Sequence, residues 1–182
     1  MKTKKSLVIA LIIALIVVFI AVVLFVPAKK SKEKAGVGLI SPDFELKAPE
    51  GKIWRLKDTL GSVVLINFWA SWCQSCKDEM PYLQNLYSMT QGSEPILQKG
   101  LRIITILYKD NPEDAIRYLS QNKYNLPLLI DSRGEVSLTY GLTGVPETFI
   151  VDKNGILREI LKGPVEFDSP QAVAFYTKLI RE

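Results

Sequence analysis

Phe68-Trp69-Ala70-Ser71-Trp72-Cys73-Gln74-Ser75-Cys76-Lys77 holds both cysteines of the 182-residue chain, two residues apart. Ahead of it, Val63-Val64-Leu65-Ile66-Asn67-Phe68-Trp69 is β-branched and aromatic, the composition of a buried strand. Behind it, Met80, Leu83, Leu86 and Tyr87 fall at the spacing of an amphipathic helix. A Cys-x-x-Cys at a strand-to-helix junction places its first sulfur where unpaired backbone N–H groups and the positive end of the helix dipole favour a thiolate. That arrangement points to dithiol–disulfide redox chemistry. Two blander readings stand beside it: a static disulfide, although so small a loop constrains the unfolded chain little, and a zinc site shared between two chains.

Composition narrows the chemistry further. The chain has no histidine, which removes Cys-His nucleophile pairs and most zinc and copper ligand sets. Two thiolates alone cannot complete a tetrahedral site, so neither a metal nor another cofactor is expected. The formal charge is +4, but residues 1–34 carry seven lysines and one glutamate. Of 23 basic and 19 acidic residues, 16 and 18 then remain, a net of −2 for the rest of the chain. Nucleic acid is therefore not an expected partner.

Leu7 to Val26 is an uncharged apolar run of twenty residues, long enough as a helix to cross a bilayer core of about 30 Å. The expected organisation is a cytoplasmic N-terminus over 1–6, a transmembrane anchor over 7–26, a tether over 27–40 and a globular domain over 41–182. Lysines flank the run on both sides, so charge alone does not orient it. A cleaved signal peptide, ending near Val26-Pro27-Ala28, is the competing reading, although the run exceeds the usual apolar length of a signal.

Within the domain, Phe44–Leu46 and Ile53–Leu56 alternate around Pro49-Glu50-Gly51, which predicts a β-hairpin. Strand 63–69 is followed by a helix over 74–89 kinked at Pro81, a polar flexible connection over 91–100, and a buried strand over 101–107. Asn111-Pro112-Glu113-Asp114 is a helix start, opening a helix over 112–122. A short strand at 127–130, a helix over 131–140, strands 148–151 and 156–160 around Asp152-Lys153-Asn154-Gly155, and a helix over 169–180 complete the chain. Strands alternating with helices and then a hairpin predict an α/β fold with a mixed central sheet flanked by helices.

The Trp-Ala-x-Trp-Cys-x-x-Cys-Lys run, with Gly144-Val145-Pro146-Glu147-Thr148-Phe149 some seventy residues later, resembles the thioredoxin superfamily. It is most similar to membrane-tethered thiol–disulfide oxidoreductases of the TlpA/ResA/CcmG type, from about residue 38 to the end. The resemblance implies a thioredoxin-like fold with an added N-terminal hairpin and a domain on the extracytoplasmic side of a cell membrane, held by a single span. It implies catalytic roles for Cys73 as attacking thiolate, Cys76 as resolving thiol and Glu79 as proton carrier. It implies substrate binding by Trp72, Val145, the cis-proline Pro146 and Glu147. Trp72 read locally is a packing residue, and Glu79 a solvated carboxylate in Lys77-Asp78-Glu79. The implied activity is reduction of partner-protein disulfides, apocytochrome c among them, with electrons from another membrane or extracytoplasmic thiol protein. Alternatives are a disulfide-forming oxidase, a thiol peroxidase, or a metal or haem chaperone using the two thiols. Asn67 stands where thioredoxins carry a buried strand aspartate, which moves the expected proton carrier onto the helix at Glu79.

Overall fold

The computed structural model describes residues 12–18, 34–92 and 94–182. Residues 12–18 are helical, and the rest of the predicted 7–26 span lies outside the described residues. Among those described, no helix is long and apolar enough to cross a membrane. Residues Glu33–Glu182 form one compact unit.

Seven strands make a single sheet: β1 (Glu45–Lys47), β2 (Ile53–Arg55), β3 (Val63–Trp69), β4 (Leu101–Leu107), β5 (Leu128–Ile130), β6 (Glu147–Val151) and β7 (Leu157–Lys162). Their order across the sheet is β2-β1-β5-β4-β3-β6-β7. β3, β4 and β5 run parallel, while β6 is antiparallel to β3 and β7 to β6, so the sheet is mixed. At the other edge β1 pairs antiparallel with both β2 and β5. The helices described in this unit are α1 (Gln74–Gln91), α2 (Pro95–Gly100), α3 (Pro112–Gln121), α4 (Glu135–Thr139) and α5 (Pro170–Arg181), with a 3-10 turn over Leu56–Thr59.

β3 is buried at every position because both faces of the sheet are covered. Its period of two sends Val63, Leu65 and Trp69 into a core with Met80, Leu83 and Leu86 of α1, Leu119 of α3 and Leu179 of α5. Val64, Ile66 and Phe68 enter a second core with Phe44, Leu56, Tyr140 and Phe149. Asn67 has the parity of the first set, so its amide faces the side covered by α1. That parity sets up the site.

Two elements differ from the sequence expectation. The supposed flexible connection over 91–100 contains α2, which starts on Pro95 and buries Leu97. Gly100 ends it at a close approach to Ile180 of α5, where a Cβ would collide with the isoleucine side chain. The helix expected over 131–140 is confined to Glu135–Thr139, because Asp131 turns back to accept hydrogen bonds from the backbone N–H and hydroxyl of Ser137. α1 runs unbroken through Pro81 to Gln91.

Candidate active site

Cys73 is the N-cap of α1, in extended conformation, and its Sγ accepts the backbone N–H of Cys76 at 3.1 Å. The Ser75 hydroxyl lies 3.4 Å from the same sulfur and donates to it. The helix start thus supplies the donors that an anionic sulfur needs, in the place where the helix dipole also favours negative charge. Cys73 and Cys76 are joined as a disulfide, with Cα atoms 5.3 Å apart. Cys76 lies one turn inside and is fully buried, whereas Cys73 keeps 6% exposure. Only the first sulfur is open to a partner.

The approach to Cys73 is shaped by the turn before it and by the loop that carries Val145 and Pro146. Trp72 is 59% exposed, and its indole N–H donates to the Lys109 carbonyl at 3.2 Å. Beside it the Ser71 N–H donates to Asp110 at 2.6 Å, so the β4–α3 loop holds the turn that precedes the cysteine. The Val145–Pro146 peptide is cis, and the Val145 carbonyl oxygen lies 3.6 Å from Cys73 Sγ. Trp69, by contrast, is wholly buried and packs on Tyr118 with ring centroids 5.8 Å apart.

Beneath the cysteines lies a buried polar group. Glu79, one helical turn after Cys76 and on the same face, is 1% exposed. One of its carboxylate oxygens accepts from the Asn67 amide at 2.7 Å, the other from the Val165 backbone N–H at 3.2 Å. Asn67 donates also to the Thr148 hydroxyl at 2.9 Å, its cross-strand partner on β6. Burial pushes the Glu79 carboxyl up to about 7, against the two hydrogen bonds that favour its ionised form. The solvated-carboxylate alternative therefore does not hold. Among the described residues Asn67 Oδ1 finds no hydrogen-bond partner. By turning its amide, Asn67 offers a donor to ionised Glu79 or an acceptor to the protonated acid. Both protonation states can be accommodated.

Glu147 goes elsewhere. It pairs with Phe68 across β3 and β6, which places its side chain on the sheet face away from Asn67 and Glu79. There, 3% exposed, it accepts the Thr143 N–H at 3.0 Å and pairs with Lys162 at 3.4 Å. Lys162 also donates to the Thr143 hydroxyl at 3.2 Å. The carboxylate thus ties down the loop that carries Val145 and Pro146. The structure brings Trp72, Val145 and Pro146 next to Cys73, with Cys76 buried behind it and Glu79 on the face of Cys76, while Glu147 holds the loop of Val145 and Pro146 from the other sheet face. Sequence reasoning missed Asp110, the Val165 N–H, and the Thr143–Lys162 pair. Asp110 had a signal, an acidic residue just before the Asn111-Pro112 helix start, but that start accounts for it equally well. Among the described residues no cluster of histidine, cysteine or carboxylate side chains could hold a metal ion.

A sequence model of the AhpC/TSA family matches residues 37–160. The chain belongs to that family. It is 35% identical over 133 residues to the thiol-disulfide oxidoreductase ResA of Geobacillus thermodenitrificans, covering 72% of each chain. The ResA of Bacillus thuringiensis subsp. konkukian is 36% identical over the same length, with 72% and 73% covered. Among solved structures, a chain described as a thiol:disulfide interchange protein DsbE from Chlorobium tepidum superposes with a TM-score of 0.68 at 26% identity. That match covers 79% of this chain and 99% of the other. The exposed lipoprotein thioredoxin of Streptococcus pneumoniae gives 0.59 at 29% identity, covering 75% and 98%. The fold is thioredoxin-like, and the protein is a thiol–disulfide oxidoreductase of the ResA/DsbE type.

Proposed function

We propose that the chain reduces disulfides of partner proteins outside the cytoplasm. In this reading residues 7–26 anchor it in the cell membrane, 27–40 form a tether and 41–182 carry the chemistry. The Cys73 thiolate attacks one sulfur of the partner disulfide, that S–S bond breaks, and the departing partner sulfur takes up a proton. Cys76 then loses its proton and attacks Cys73 Sγ. The second partner thiolate leaves and is protonated, and in forming the Cys73–Cys76 disulfide the chain has given two electrons to the partner. A second thiol protein, in the membrane or outside it, returns the chain to its dithiol form.

The observation that supports this most is the pairing of an N-capping, slightly exposed Cys73 with a buried Glu79 titrating near 7 on the face of Cys76. A carboxyl half-ionised at neutral pH can take the Cys76 proton and give it back. Trp72 and the backbone at Val145 would receive an extended partner segment, in the manner of strand addition. Glu147 would fix the position of that edge. The resemblance to the ResA and CcmG types favours apocytochrome c, with its Cys-x-x-Cys-His disulfide, as the substrate.

The reduction potential tests the direction. A value near that of thioredoxin, about −270 mV, or lower supports a reductase, whereas one near about −120 mV makes the chain a disulfide-forming oxidase. Reduced chain should also open the disulfide of a Cys-x-x-Cys-His peptide in stoichiometric amount. Turnover of hydroperoxide in preference to that peptide would assign a thiol peroxidase instead.

A further inference from the structure

The pole of the domain opposite the cysteines carries large, exposed apolar side chains. Val37, Leu39, Ile40 and Leu60 are each between 59% and 70% exposed. Backbone pairing places Leu39 and Ile40 beside the β6–β7 turn, which Gly61 also reaches. The Gly38 N–H donates to Leu157 O and the Ser41 N–H to Gly155 O, while Leu39 O accepts from Leu157, so residues 38–41 lie along the start of β7. Ile40 bridges to Ile156, and Leu60 and Ile40 line one recess together with Gly155 and Val151.

Strand polarity places this patch. Leu60 and Gly61 directly precede β3, and the Gly61 N–H donates to the Lys153 carbonyl in the β6–β7 turn. Cys73 follows the other end of β3. Seven residues of strand separate the two poles by about 20 Å. A surface covering the patch therefore leaves the opening at Cys73 facing away from it.

We propose that Val37, Leu39, Ile40 and Leu60 rest on an anionic lipid surface and so hold the redox pole outward from the membrane. This rests on the anchored reading above. What selects lipid as the occupant is the chain that leads into the patch. The uncharged apolar run ends at Val26, and Lys29, Lys30, Lys32 and Lys34 fill the stretch before Val37. Val37 follows Val26 by eleven residues, at most about 40 Å of fully extended chain, so the patch stays within that reach of the headgroups. Lysines beside exposed aliphatic side chains match an anionic interface, the cations meeting phosphate and the side chains entering the acyl boundary. Asp43, Lys57 and Asp58 also lie at this pole and are exposed, and the half-buried Lys153 and the Asp152–Arg158 pair of the β6–β7 turn lie beside them. With Lys153 counted and Asp152 paired to Arg158, the local charges cancel, so the attraction comes from the four tether lysines and not from the domain surface.

The test uses the full chain in phosphatidylcholine vesicles containing phosphatidylglycerol. In a Cys73→Ser/Cys76→Ser background, single cysteines introduced by Leu39→Cys, Leu60→Cys or, as a control near the redox pole, Asp78→Cys receive a nitroxide. Collision with oxygen is compared with collision with a water-soluble nickel chelate. The patch labels should show an oxygen-to-nickel ratio several-fold above that of the Asp78 label. Release of the chain by alkaline carbonate overturns the anchor and this proposal together. Retention of the chain, with patch labels as water-exposed as the control, overturns this proposal alone. Spin–spin broadening at the patch labels that disappears on dilution with unlabelled chain assigns the patch to a second copy and also overturns it.

Discussion

Replacing Glu79 by glutamine should make the oxidised protein more stable at pH 8 and leave it no more stable at pH 4. The carboxyl is 1% exposed, and burial raises it from 4.5 to about 7. Its folded-state value lies above its unfolded one, so between those two values the native state holds the extra proton. Native stability is therefore fully present below about pH 4.5 and falls as pH rises toward 7. Every pH unit separating the folded and unfolded values is worth about 1.4 kcal/mol, so the wild type loses about 3 kcal/mol across that window, and glutamine, which does not ionise, escapes the loss. The new amide can be received because Asn67 can present its oxygen instead of its nitrogen, although the Val165 N–H then competes for a single carbonyl. That competition costs about 1 kcal/mol at every pH and leaves the slope untouched. The assay is urea unfolding of the oxidised wild type and Glu79→Gln at half-unit intervals from pH 4 to 8.5. A stability difference that does not change with pH would refute the buried, proton-holding carboxyl.

The reduced protein extends the same logic: in Glu79→Gln the Cys76 thiol should titrate about one unit lower, since a neighbouring negative charge is gone, and thiolate absorbance against pH reads this directly. Trp72→Ala should leave the unfolding midpoint within about 0.5 kcal/mol of wild type, because the indole is mostly exposed. It should nonetheless slow reduction of a protein disulfide while sparing a small-molecule disulfide, a contrast that stopped-flow mixing with each substrate measures. Glu147→Ala removes the acceptor of the Thr143 N–H and the buried partner of Lys162, and should destabilise the chain by about 2 kcal/mol. Its kcat/KM for a protein disulfide should fall by about tenfold, with Glu147→Gln recovering most of the loss if the carboxylate acts by holding the loop.

The strand–turn–helix around Cys73 was legible because its signals are local: a β-branched run, a cysteine cap and an apolar stripe all lie within 25 residues. Asn67 and Glu79 could be named from sequence, but their bond could not, since it depends on the parity of β3 being matched to the face that α1 covers. Glu147 shows the same limit from the other side. Its nearness to Pro146 in sequence suggested a carboxylate at the opening, yet alternation along β6 sends Thr148 toward Asn67 and Glu147 to the opposite face. α2 was hidden for a different reason. Six residues with one buried leucine carry too little periodicity to show a helix, and the fit of Gly100 against Ile180 spans eighty positions. Long-range registration, not local propensity, is what the sequence withholds here.

The central claim is that Cys73 alone forms the bond to a partner and Cys76 alone releases it. Mixing reduced Cys76→Ser and Cys73→Ser chains separately with a Cys-x-x-Cys-His disulfide peptide, followed by acid quenching and mass mapping of the adducts, tests it. A stable mixed disulfide on Cys73 in the first variant, and none on Cys76 in the second, is the expected result. Equal adduct formation on both sulfurs would contradict the division of roles proposed from the helix cap and the burial of Cys76.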